Sequence, residues 1–198
     1  MKNIFDRIPR RSAILILGPP MAHKKDLLYK LILYGFKKKE AVLFVTTDSF
    51  PNDIEAELGR NNVSYKQYEK QGNLKFIDCY SAQAQDVLSI TSSVVKVPGP
   101  LALNEISVAM SEIESGFYKK NKVHKIIFQS LSTLLMYSRP EAIERFVQVI
   151  VARTKNAGGS IFFTIEEGMH DERILISLEH LMDGIIAVKG KKPVLKLR

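Results

Sequence analysis

Short apolar runs rich in β-branched residues alternate along this chain with longer segments in which apolar residues recur every three or four positions. The runs fall at residues 13–17, 41–46, 74–78, 125–128, 160–164 and 184–188. Most are apolar almost throughout, with little apolar/polar alternation, so the strands they predict are buried on both faces. Strands of that kind interleaved with helices build a mostly parallel central sheet covered by helices, an α/β fold.

The intervening segments carry helical signals. Within 101–119, Leu103, Ile106, Met110, Ile113 and Phe117 follow helical spacing and form a face for the sheet. Ser138 and Glu141 have the spacing of a capping box ahead of a helix whose Ile143, Phe146, Val147, Ile150 and Val151 make one stripe, and Gly158 and Gly159 end it. Two prolines and a glycine in 91–100 predict a surface connection. Residues 184–188, a turn at 190–192 and residues 193–197 predict a C-terminal β-hairpin. The alternation runs unbroken across 1–198, which reads as one domain.

The composition, 45% apolar and 25% charged over 198 residues, is that of an ordinary globular chain. No run approaches the roughly 18 apolar residues of a membrane span, and 13–17 is too short for the core of a signal peptide. The expectation is a soluble, cytoplasmic protein with no membrane partner. Cys79 stands alone, which rules out an internal disulfide and suits a small buried side chain; no spacing predicts a metal cage. The net charge of +8 favours anionic partners. Its carriers are Arg7, Arg10 and Arg11, then Lys37, Lys38 and Lys39, then Lys119, Lys120, Lys122 and Lys125, and finally the tail 189–198. These groups sit at element ends, so solvated ends outweigh a continuous nucleic-acid track.

Candidate chemistry begins where the first strand runs into Gly18, Pro19, Pro20, Met21, Ala22, His23, Lys24 and Lys25, with a helical pattern behind them. That is the setting of a Walker A phosphate loop, G-x-x-x-x-G-K-[ST]. In it backbone N–H groups and a helix N-terminus surround phosphate, Lys neutralises it, and a hydroxyl ligates Mg²⁺. Gly18 and Lys24 match; His23 stands at the second glycine and Lys25 at the hydroxyl. A plain strand-to-helix turn is the alternative reading, although two lysines at a helix start are unfavourable without an anion nearby. His23 strains or crowds such a loop more readily than it serves as a base, and a protonated Lys25 cannot ligate a metal.

The strand 125–128 ends at Gln129 and Ser130, where a Walker B strand ends in Asp; Gln129 is neutral and offers a metal no charge. After 41–46 come Thr47, Asp48 and Ser49, the place of a water-activating carboxylate. Asp48 is the single catalytic candidate there, and capping of a helix near Pro51 is an equal use for Asp48 or Ser49.

Four segments then occur in a specific order: Gly18-Pro19-Pro20, Val45-Thr46-Thr47-Asp48, Ile77-Asp78-Cys79-Tyr80-Ser81 and Ser130-Leu131-Ser132-Thr133-Leu134-Leu135. With 166–172 and 178–184 added, the chain resembles archaeal KaiC-like ATPases of the RecA superfamily, here with degenerate Walker motifs. The resemblance implies a RecA-like fold, an ATP or ADP site at the carboxyl ends of parallel strands, and assembly with copies of the chain or with a homologous ATPase subunit. It also marks Lys196 and Arg198 as residues that reach a neighbour's phosphate, against the plainer reading of a basic strand end. His170 and His180 lack a compact ligand spacing, and Asp171 or Glu172 suits a helix cap. Glu166 and Glu167 are open to a partner contact, and their charge argues against DNA there.

The coincident changes at His23, Lys25, Ser49 and Gln129 point to a regulatory or assembly pseudo-ATPase that still binds nucleotide or phosphate, with Mg²⁺ binding in doubt. The alternatives are a slow ATPase working through Asp48 and a recombinase-like DNA-binding accessory subunit, the latter resting on composition and fold kinship.

Overall fold

A computed structural model describes residues 3–60, 65–84, 92–190 and 192–198. Among the described residues eight strands lie in one sheet: β1 (Ala13–Gly18), β2 (Ala41–Thr46), β3 (Leu74–Asp78), β4 (Val94–Lys96), β5 (His124–Gln129), β6 (Ser160–Glu166), β7 (Gly184–Ala187) and β8 (Val194–Leu197). Their order is β4-β3-β2-β5-β6-β1-β7-β8. The pairings through β7 are parallel, and only β8 runs antiparallel, closing the expected hairpin. Lys191, in the predicted 190–192 turn, lies outside the described residues, as does Thr91 at the start of the 91–100 connection.

The helices are α1 (Lys24–Lys37), α2 (Pro51–Arg60), α3 (Tyr65–Lys70), α4 (Leu103–Lys119), α5 (Leu131–Tyr137), α6 (Pro140–Asn156) and α7 (Glu172–His180). Strand side chains alternate between two cores. Ile14 and Ile16 of β1 and Phe44 of β2 join Leu28, Leu31 and Ile32 of α1 and Leu58 of α2. Ala13 and Leu15 of β1 and Val45 of β2 join Met110 of α4, Leu134 of α5, the Ile143, Val147 and Ile150 stripe of α6, and Leu178 of α7. Each such Val, Leu, Ile, Phe or Met side chain contributes roughly 1.5–3 kcal/mol on burial, which explains why the strands need apolar residues on both faces. Among the described residues no helix is long and apolar enough to cross a membrane.

Two local expectations are corrected. The 91–100 connection contains β4, a three-residue edge strand on β3 whose shortness hid it. The capping box does not form: Arg139 is the N-cap of α6, with no side-chain cap bond, and Ser138 instead ends α5, its N–H donating to the Leu134 carbonyl at 2.9 Å. Pro140 at the start of α6 is the cause, because a residue before proline is driven to an extended backbone, and Arg139 has φ −65° and ψ 137°. The start of α6 is thus fixed by the proline. The expected cap from Asp171 does form, its side chain accepting from the Arg173 N–H.

Candidate functional site

Because β2, β5, β6 and β1 are consecutive neighbours, their carboxyl ends bring four distant segments to one edge of the sheet. These are Thr47–Asp48–Ser49 after β2, Gln129–Ser130 at the end of β5, Glu166 at the end of β6, and the 18–25 loop after β1. Ligands of open α/β sheets bind in this position. The nucleotide-site residues expected from sequence therefore converge.

In the loop, Gly18 has a packing reason to be glycine: a Cβ there would lie 2.7 Å from the Val188 carbonyl oxygen, where β1 and the end of β7 meet. Pro19 and Pro20 have no N–H to offer. The Ala22 N–H donates to the Pro19 carbonyl at 3.2 Å and the Lys24 N–H to the Ala22 carbonyl at 2.7 Å, so two further amides turn onto the loop itself. His23, feared as a source of strain, has φ −70°; it is Met21 that takes positive φ, at 64°, with its side chain in solvent. His23 Nδ1 lies 3.1 Å from Asp26 Oδ2 on the exposed first turn of α1.

Lys24 is 5% exposed. Its Nζ donates to the carbonyls of Gly18 at 2.9 Å and Pro19 at 2.6 Å, and to Glu166 Oε2 at 2.6 Å. An ammonium has three protons, so this set satisfies it completely. The sequence contains both residues but not their meeting, which depends on β6 pairing with β1 in register, Gly18 opposite Glu166.

The third group surrounds Asp48. Thr47 is tied to the end of β5 by its N–H to the Gln129 carbonyl at 2.8 Å and by the Ser130 N–H to Thr47 Oγ1 at 2.8 Å. This holds Asp48 beside Gln129, whose Nε2 donates to Asp48 Oδ1 at 2.7 Å. Ser49 Oγ donates to the same oxygen at 2.7 Å, and Lys25 Nζ donates to Ser49 Oγ at 3.3 Å. At the two positions where a phosphate loop and a Walker B strand would offer Mg²⁺ a hydroxyl and a carboxylate, this chain has the Lys25 ammonium and the Gln129 amide.

Beyond Glu166, the Ser132 Oγ accepts the Glu166 N–H at 2.8 Å and lies 2.8 Å from His170 Nε2. Burial pushes the His170 pKa below its ordinary 6.5, against the opposing pull of the Glu166 charge. Glu167 pairs with Lys189 at 2.8 Å. Thus both acidic residues read from sequence as open to a partner are engaged within the chain. Lys196 pairs with Ile185 across the hairpin, and Arg198 follows β8 with its N–H on the Asp183 carbonyl. Since β8 is antiparallel, Arg198 lies at the sheet edge opposite the 18–25 loop, and its guanidinium donates to the His180 carbonyl at 3.1 Å.

Comparison with known proteins finds archaeal relatives of the chain. A family model described as a family of unknown function, DUF7504, matches residues 11–188. UPF0273 proteins of Pyrobaculum aerophilum and Aeropyrum pernix are 23% and 24% identical over 185 residues, 92% of this chain. The chain spans 63% of the length of the Pyrobaculum protein and 71% of the Aeropyrum protein. Among solved structures, an uncharacterized Pyrococcus horikoshii protein, in complex with an unknown peptide, has a TM-score of 0.76 at 19% identity, covering 98% of this chain and 86% of its own. A KaiC-like protein of the same organism has a TM-score of 0.68 at 15% identity, covering 96% and 80%. The chain has the KaiC-like, RecA-type fold.

Proposed function

Since the chain belongs to the DUF7504 family and has a KaiC-like fold, we propose that it is a regulatory or assembly pseudo-ATPase: a RecA-type subunit that binds a nucleotide or another phosphate ligand without efficient turnover. The observation that carries this reading is the 2.7 Å bond from Gln129 Nε2 to Asp48 Oδ1. A carboxylate that accepts from an amide and from Ser49 is a poor general base for water, and no second carboxylate stands at Gln129 to hold a metal. Gly18 and Lys24 retain two positions of a phosphate loop, and α1 follows them as the helix of that loop does. Lys24 and Lys25 supply the positive charge that Mg²⁺ would otherwise bring, so binding is independent of the metal.

Calorimetric titration with ADP, with and without Mg²⁺, tests this. Similar affinity in both conditions, lost on Lys24→Ala, is the expected result; binding that strictly requires Mg²⁺ contradicts it.

A contribution to a neighbouring subunit is favoured by the direction of β8. Lys196 and Arg198 end at the edge of the sheet away from this chain's own loop, so any phosphate they meet belongs to another copy or to a homologous subunit. Co-purification with a catalytically complete homologue, weakened by changing both residues to Ala, is the corresponding test.

A further inference from the structure

We infer that Glu166 is a built-in competitor for the phosphate of any ligand of the 18–25 loop: its carboxylate sits on Lys24 as the ligand's anion would, and a bound phosphate must expel it. This rests on the phosphate-binding reading above and adds the residue that opposes it.

The lysine is closed off, its three protons shared between Glu166 Oε2 and the carbonyls of Gly18 and Pro19. A phosphate arriving at Lys24 therefore meets a negative charge at contact distance in a largely desolvated place, and the two anions repel. Glu166 is also able to leave. Its side chain remains 26% exposed, against 7% for that of Lys24, so solvent already reaches the carboxylate. Its backbone does not have to follow, because the Glu166 N–H is held by Ser132 Oγ at 2.8 Å and the Glu167 N–H by the Gly18 carbonyl at 2.8 Å. Rotation of one side chain exchanges the internal anion for an external one while β6 stays in register with β1. The lysine is neutralised in either state, which keeps a buried ammonium from ever standing unpaired.

The test is calorimetric titration of the full chain with inorganic pyrophosphate and with ADP, both without Mg²⁺, for wild type, Glu166→Gln, Glu166→Ala and the Glu166→Gln/Lys24→Ala double variant. Circular dichroism and cooperative unfolding establish that each is folded. Removing the competing charge tightens binding by at least about tenfold in both single variants, and the double variant loses the gain. Acylation of lysines followed by mass spectrometry adds a readout without any ligand: Lys24 is protected in wild type and modified faster in Glu166→Ala. Equal affinities for wild type and the single variants overturn the competitor role and leave phosphate binding standing. Absence of binding by wild type and by both folded single variants overturns both.

Discussion

The side-chain amide of Gln129 donates to Asp48 Oδ1 at 2.7 Å, joining the ends of two neighbouring strands through the carboxylate that follows β2. The pair is complementary only because one partner is neutral. Gln129→Glu keeps the size and turns a hydrogen bond into a contact between two carboxylates. Such a change costs about 1–3 kcal/mol from the lost bond and the added repulsion. Urea unfolding of the two proteins should show that loss. A variant as stable as wild type would mean that the bond does not organise the site.

A second pair lies at the opposite edge of the sheet. His124 of β5 is completely buried, its Nε2 lies 3.3 Å from Glu114 Oε1 of α4, and Gly159 passes directly over its ring. A Cβ at position 159 would collide with the imidazole. Gly159→Ala should therefore cost about 1–3 kcal/mol or more, the scale of overpacking a filled core. The same change made in a His124→Ala background should cost close to nothing. Chemical denaturation of the four proteins gives the coupling directly.

Glu55 of α2 supplies a pH dependence. Burial first, then the Glu69 charge on α3, pushes its pKa from the ordinary 4.5 up to about 7, with Lys66 opposing. The folded protein thus keeps a proton that the unfolded chain releases. The stabilisation is complete below about pH 4.5 and is lost as pH rises through about 7. Unfolding free energy measured across that window should fall with rising pH, and Glu55→Gln should flatten this part of the profile.

The predicted strands appear because most are short apolar runs buried on both faces, a pattern that needs no knowledge of its neighbours; those at 41–46 and 74–78 have the predicted bounds. The stripe of α6 was legible for the same reason, all five predicted residues being buried. β4 was missed because three residues on an edge have little pattern to show. The failed cap at Ser138 was a contest between two local signals, in which the restriction Pro140 places on Arg139 prevailed. In the site, sequence identified the 18–25 loop, Asp48 and Gln129 by their places after strands, but not their bonds. Lys24 and Glu166 are 142 positions apart and meet only through the pairing of β1 with β6. The available signal was an acidic residue ending a strand that, in a RecA-like order, adjoins the phosphate loop. Ser132 and His170 join the same network for the same non-local reason.

Steady-state phosphate release from ATP with saturating Mg²⁺ tests the central claim most directly, using highly purified wild type, Asp48→Asn and Lys24→Ala proteins. The account predicts that wild type releases phosphate no faster than either variant. Sustained release by wild type that disappears in both Asp48→Asn and Lys24→Ala would contradict it and make the protein an ATPase.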